Sequence, residues 1–164
     1  MILGLDPSLR GTGYAVLRSD RARAVALTHG TIACPANWPR TRCLAHIART
    51  VRRLLRQHRP AVCVVEGLFY AQNLKTALIL GEARGAALAV VAEAGLEVYE
   101  IAPRKVKQAI VGYGAARKEA VGRMVQRLLG LRDVPEPDAA DALALALAHA
   151  QAAGHPGLAA LKSL

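Results

Sequence analysis

Asp6, Glu66, Asp138 and Asp141 are four of only 12 acidic residues in this chain of 164, and each stands at a boundary between an apolar run and a turn. Asp138 and Asp141 are three residues apart, so on a helix they share a face. Four carboxylates meeting in one place repel and raise one another's pKa unless cations are present. An oxygen-only donor set of this kind suits hard divalent ions such as Mg²⁺ or Mn²⁺. Each residue also has a plainer use. Asp138 follows Pro137 and suits a helix N-cap, with Asp141 completing a capping box. Asp6 precedes a glycine-bearing turn and suits an Asx turn, and Glu66 at the end of an apolar run can simply face solvent.

The basic residues offer a second kind of chemistry. Arg104, Lys105, Lys107, Arg117 and Lys118 bracket Tyr113 with no acid between Arg104 and Glu119, and phosphate binding is the natural use of such a stretch. Arg104 and Lys105 read as a solvated face, as do Arg49, Arg52, Arg53 and Arg56. Phe69 and Tyr70 are two of only six aromatic residues and follow Glu66 by three and four positions. An exposed aromatic ring beside a metal site stacks on a base or wedges a base step. Tyr70 is the better candidate for plain packing at a helix entry. His46, His58, His149 and His155 take no ligand role.

The elements that must position these residues follow from hydrophobic periodicity. Residues 1–6 and 14–17 read as a hairpin joined by the turn-rich stretch 7–13, and a third strand is expected around 23–33. Leu44, Ile47, Val51, Leu54 and Leu55 recur at helical spacing. Residues 61–65 are continuously apolar, as in a strand buried on both faces, and Glu66 closes that run. The stretch 72–94 is helical and apolar almost all round, with Gly81 and Gly85 one turn apart, so it is expected to be central or packed tightly against a partner. A strand over 96–101, a helix starting at Pro103, an interruption at Gly112–Gly114, a helix over about 116–129 and a last helix over 138–152 complete the order. Strands first, then alternating strands and helices, give an α/β fold with a mixed sheet flanked by helices. One domain is expected over residues 1–153, followed by a flexible C-terminal tail over 154–164.

Composition bounds the answer further. A hydrophobic content of 53% with a mean hydropathy of +0.23 excludes a disordered chain, and 22 Lys and Arg against 12 Asp and Glu give a net charge of +10. A domain this basic meets a polyanion. Cys34, Cys43 and Cys63 form no CxxC pair and are odd in number, against both a disulfide framework and a zinc knuckle, so a reducing compartment is expected. No secretory signal is evident, and the uncharged stretch 142–161 contains His149, Gln151, His155 and Pro156, which favours a buried helix plus a tail over a membrane span. A cytoplasmic location without membrane attachment is the expectation.

In order along nearly the whole chain, ILGLDPSLRGTGYAVL, VVEGLFYAQN, LGEARG, VKQAIVGYGAARKEAV and DAADALALALAHA resemble the RuvC family of bacterial Holliday-junction resolvases. The resemblance implies a ribonuclease-H-like fold, here a mixed five-stranded sheet flanked by helices. It implies that Asp6, Glu66, Asp138 and Asp141 hold two Mg²⁺ or Mn²⁺ ions per active site and that four-way junction DNA is the substrate. Some family members carry histidine at the position of Asp138. The product would carry a 5′-phosphate, with water as the nucleophile. Lys107 and Lys118 match positions near the family's active site, where a lysine neutralises the scissile phosphate or developing charge. Phe69 matches a base-stacking aromatic. Two symmetric cuts need two sites, so a homodimer is expected, with the Gly81/Gly85 face as its interface, and the RuvA–RuvB branch-migration complex as a further partner. Ser8 departs from the glycine that often follows Asp-Pro in relatives. Three rival readings share features with this one: a nuclease of similar fold acting on structured RNA, a junction-binding module that does not cut, and an actin-like kinase, for which the chain is too short to supply a second lobe.

Overall fold

Alternation along two neighbouring strands decides where the carboxylates emerge. In a computed structural model that describes residues 1–20, 23–67, 73–152 and 162–164, β1 (Ile2–Asp6) lies between β2 (Gly11–Ser19) and β4 (Val62–Glu66). Ile2 of β1 and Val64 of β4 enter one core layer, whereas Leu3, Leu5, Cys63 and Val65 enter the other. With a period of two, Asp6 and Glu66 both fall on the side of Ile2 and Val64.

The remaining elements are β3 (Ala24–Ala33), α1 (Arg40–His58), α2 (Leu74–Glu93), β5 (Glu97–Ile101), α3 (Pro103–Val111), α4 (Lys118–Leu129), α5 (Pro137–Ala152) and a two-residue strand β6 (Lys162–Ser163). The sheet order is β3-β2-β1-β4-β5-β6. β1 is antiparallel to β2 and parallel to β4, and β4 is parallel to β5. The expected five-stranded mixed sheet is therefore present. Lys162 and Ser163, from the C-terminal tail, extend it by pairing antiparallel with Glu100 and Tyr99. Residues 154–161 of that tail lie outside the described residues.

Helices α1 and α2 cover one face of the sheet, through Ile47, Val51, Ala83, Ala87 and Val91 among others. Helices α3, α4 and α5 cover the other. α5 is apolar all round because it lies between the sheet and α4, with every residue from Ala139 to Ala148 buried except Asp141. The three cysteines are buried free thiols.

Several boundaries differ from the sequence expectation, each for a local reason. α2 begins at Leu74, capped by the Asn73 side chain, which accepts from the Thr76 amide at 2.8 Å. α4 begins at Lys118 rather than near 116, which leaves Arg117 at the cap and Ala116 in the core. α2 is not central. It lies on one face of the sheet, and Leu74, Leu78, Gly81 and Gly85 on its outer side are exposed. An all-apolar helix reads the same whether its outer stripe meets its own core or another chain.

Candidate active site

The carboxylates come together because a helix is allowed to lie unusually close to the sheet. A Cβ on Gly4 would overlap the carbonyl of Ala142, and a Cβ on Gly13 would overlap the carbonyl of Asp138. A Cβ on Gly11 would stand 2.5 Å from Oδ2 of Asp138. Glycine at these three places forms a bed for the first turns of α5, whose contacting face is mostly alanine. The start of the helix is thereby set against Gly13, which is the β2 partner of Asp6.

Asp6 and Glu66 close adjacent parallel strands whose register pairs Leu5 with Val65. Both side chains therefore emerge at the carboxyl end of the sheet, on the α5 side. The Asp6 turn is closed by buried Thr12, which donates through Oγ1 to the Ser8 carbonyl at 2.6 Å and accepts from the Ser8 amide at 3.2 Å. Arg59 is the only non-glycine residue with positive φ among the described residues, so the backbone at Ser8 does not call for glycine.

Asp138 is not the N-cap that its position after Pro137 suggests. α5 already starts at Pro137, and the Ala140 amide donates to the Glu136 carbonyl at 2.8 Å, so Asp138 lies inside the first turn. A carboxylate there is favoured by the helix dipole. Asp141, one turn on, accepts from Nζ of Lys118 at 2.6 Å. The first residue of α4 thus reaches across to α5.

The groups sense one another. Asp6 is pushed up to about 7, first by burial, then by the charges of Glu66 and Asp141 and more weakly Asp138, against the opposing pull of Lys118. Glu66 is also raised, by burial and then by Asp141, with Lys118, Lys107 and Arg84 acting in the opposite direction. Lys118 is held protonated above its ordinary value, chiefly by its hydrogen bond to Asp141. Among the described residues no three His, Cys, Asp or Glu side chains close on a common metal-sized centre. Asp6, Glu66, Asp138 and Asp141 share one electrostatic field instead. In donor chemistry the set fits a divalent cation: it is oxygen-only, crowded with like charge, and contains a half-buried carboxyl whose ionisation a cation would favour.

Of the other residues singled out from sequence, Lys107 is half-buried on α3 and acts on Glu66, and Lys118 is in the site itself. Arg104, Lys105 and Arg117 are exposed nearby in the chain, without a contact to the carboxylates. Phe69 and Tyr70 lie outside the described residues. On the opposite face of the sheet, Arg52 pairs with Glu93 at 3.0 Å, while Arg49, Arg53 and Arg56 stand exposed as expected of a solvated face.

Sequence reasoning did not assign a role to Arg84. It is buried in α2, where Nη1 donates to the Glu66 carbonyl at 2.5 Å and Nη2 pairs with Glu100 at 2.5 Å. An arginine inside an otherwise apolar helix, within LGEARG, was the available signal.

Comparison with known proteins agrees with this geometry. The family model described as crossover junction endodeoxyribonuclease RuvC matches residues 2–149. The RuvC of Syntrophomonas wolfei is 46% identical over 149 residues, covering 90% of this chain and 87% of that protein. The RuvC of Rubrobacter xylanophilus is 45% identical over 151 residues, covering 92% of this chain and 84% of that protein. Among solved structures, Thermus thermophilus RuvC in complex with a Holliday junction substrate superposes with a TM-score of 0.89 at 34% identity, over 99% of this chain and 98% of that one. The ribonuclease-H-like sheet expected from the motifs is the sheet observed. With a matched family model over most of its length and relatives of this identity, the chain belongs to the RuvC family of crossover junction endodeoxyribonucleases.

Proposed function

We propose that this protein is a metal-dependent endonuclease that resolves four-way DNA junctions by paired symmetric cuts, leaving 5′-phosphate ends. The gathering of Asp6 and Glu66 at the carboxyl end of β1 and β4 with Asp138 and Asp141 of α5 in one electrostatic field, with Lys118 tied to Asp141, carries the proposal. These four carboxylates would hold the metal, in our reading two Mg²⁺ or Mn²⁺ ions per site. The ions supply Lewis-acid charge at the scissile phosphate and a stronger nucleophile from water at neutral pH.

The chain's own residues do the positioning. Asp6 and Glu66 are fixed by parallel register, and Asp138 and Asp141 by the glycine bed under α5. Lys118, with a side chain 70% exposed, holds Asp141 and is free to meet a phosphate oxygen. Lys107, which acts on Glu66 from α3, would offset charge that develops on the phosphate. Arg104, Lys105 and Arg117 would follow the DNA backbone on either side. Phe69 would stack on a base beside the scissile step, and Tyr70 would support it.

A two-fold dimer is part of the same reading. The outer stripe of α2 supports it: Leu74 is 76% and Leu78 59% exposed, and beyond the helix's own neighbouring backbone no atom of the described residues lies within 4 Å of where a Cβ on Gly81 or Gly85 would stand. Two such helices could approach closely along the glycines and bury the leucines against each other. No helix among the described residues is long and apolar enough to cross a membrane. The cytoplasm, on chromosomal DNA and together with the RuvA–RuvB branch-migration complex, is the proposed setting.

The proposal is tested by offering labelled four-way junctions, linear duplexes and RNA hairpins side by side in Mg²⁺ or Mn²⁺. Preferential cutting of the junction is expected. Preferential cutting of the RNA hairpin would transfer the protein to the structured-RNA reading, and junction binding without cutting in either metal would make it a binding module.

A further inference from the structure

We infer that Arg84 is a positioning residue for the nuclease site, acting through the backbone of Glu66. Arg84 stands on the sheet-facing side of α2, buried among Ala83, Ala87 and the strands below. Its guanidinium forks. Nη1 donates to the main-chain carbonyl of Glu66 and Nη2 to Oε2 of Glu100 on β5, both at 2.5 Å. The Arg84 and Glu100 side chains are only 10% and 22% exposed, so both charges are largely shielded from solvent.

One further bond and one close approach shape the same short segment. The Gly67 amide donates to the Ile101 carbonyl at 2.9 Å, which continues the β4–β5 ladder one step past Glu66. A Cβ on Gly67 would stand 3.2 Å from Oε1 of Glu100, so the glycine lets the carboxylate lie against the chain at that point. The end of β4 is therefore held from α2 by Arg84, itself paired with Glu100 of β5, and from β5 by a backbone bond. A strand end without such ties frays, and a fraying Glu66 would carry its side chain away from Asp6.

The chemistry calls for arginine in particular. Two acceptors on different elements, one a neutral carbonyl and one a carboxylate, are met by a planar fork with fixed spacing, which a lysine ammonium does not provide. Arg84 also belongs to the helix whose outer stripe is the proposed dimer face, so one helix joins that face to the position of Glu66. This assignment rests on reading Glu66 as a metal ligand, and it goes beyond that reading by naming what holds Glu66 in place.

The test separates positioning from stability. Arg84→Met alone leaves the half-buried Glu100 carboxylate without its partner and is expected to lower the melting temperature. Arg84→Met with Glu100→Leu removes both charges of this largely shielded pair, which restores stability in many such pairs but not the bond to the Glu66 carbonyl. Thermal melting, Mn²⁺ binding followed by electron paramagnetic resonance, junction affinity in EDTA and junction cleavage are measured on the single variant, the double variant and Arg84→Lys. The double variant is expected to melt near the wild type and to bind junction equally well in EDTA, yet to lose about 10- to 100-fold in Mn²⁺ affinity and in cleavage, the usual effect of removing a group that orients a ligand. Arg84→Lys is expected to recover only part of the loss. Recovery of Mn²⁺ binding and cleavage in step with melting would overturn the assignment. If the wild type binds Mn²⁺ but leaves junctions uncut, the nuclease reading fails, while weaker Mn²⁺ binding in the double variant would still support the role of Arg84.

Discussion

Nζ of Lys118 lies 2.6 Å from Oδ2 of Asp141 and ties the start of α4 to the second turn of α5. The lysine side chain is 70% exposed, and an ion pair of this kind is worth at most about 1 kcal/mol of stability. Its value must then lie in the site rather than the fold. Lys118→Met is expected to melt close to the wild type while cutting a bound junction about a hundredfold more slowly, the scale of a lost charge-stabilising group. Single-turnover cleavage beside thermal melting checks this; a rate that merely follows the folded fraction would return Lys118 to a structural role.

Asp6 gives a pH dependence with a definite sign. Between its ordinary value of 3.8 and about 7 the folded protein keeps a proton that the unfolded chain has released. Metal-free stability should therefore fall as pH rises through that window and stay lower above it. Asp6→Asn removes this penalty, so in EDTA the variant should gain melting temperature over the wild type at pH 8 and gain little at pH 4. Metal and proton compete for the same oxygens, so wild-type cleavage at limiting Mn²⁺ should rise as pH passes through about 7. An equal gain at both pH values would contradict the desolvated, crowded state of this carboxyl.

The glycine bed under α5 predicts a coupled loss. In Gly13→Ala the new methyl meets the carbonyl of Asp138, a backbone atom that cannot turn aside. Overpacking of this sort costs about 1–3 kcal/mol. Because the displaced element carries Asp138 and Asp141, cleavage should fall by more than the loss of folded protein explains. Melting and cleavage on one preparation decide it, and activity that tracks folding alone would separate the bed from the site.

Much of this site could be read from residue order because strand ends carry their own signal. An apolar run that stops at Asp6 and another that stops at Glu66 place two carboxylates at the carboxyl end of a sheet, and Asp138 and Asp141 share a helix face by spacing alone. The close approach of α5 was not legible, since Gly4, Gly11 and Gly13 look like turn or strand glycines until the helix is seen lying on them. The capping alternative for Asp138 failed because the helix starts one residue earlier, a shift that local propensity does not resolve. The pairing of Arg84 with Glu100 is a contact between a helix and a strand 16 residues apart, and no periodicity announces it.

Gly85→Glu addresses the proposed dimer. Beyond the helix's own neighbouring backbone, no atom of the described residues lies within 4 Å of the position a Cβ would occupy there, and glutamate is a better helix former than glycine by up to about 1 kcal/mol, so the single chain should fold. Two like charges facing each other across a helix pair should separate the subunits. Sedimentation velocity is expected to report one chain for the variant and two for the wild type, with paired cuts replaced by isolated nicks. A dimer that survives the substitution would move the interface off this face of α2.

The central claim, that these carboxylates form one metal-dependent junction-cutting centre, is tested most directly by mapping cuts on a labelled mobile four-way junction, with and without Mg²⁺ or Mn²⁺, for the wild type and for Asp6→Asn, Glu66→Gln and Asp141→Asn. The account predicts symmetric nicks in two opposed strands, with 5′-phosphate ends, for the wild type with metal only. All three variants should bind the junction in EDTA as well as the wild type and leave it uncut in metal. Symmetric cleavage that persists in EDTA, or that survives any one of the three substitutions, would contradict it.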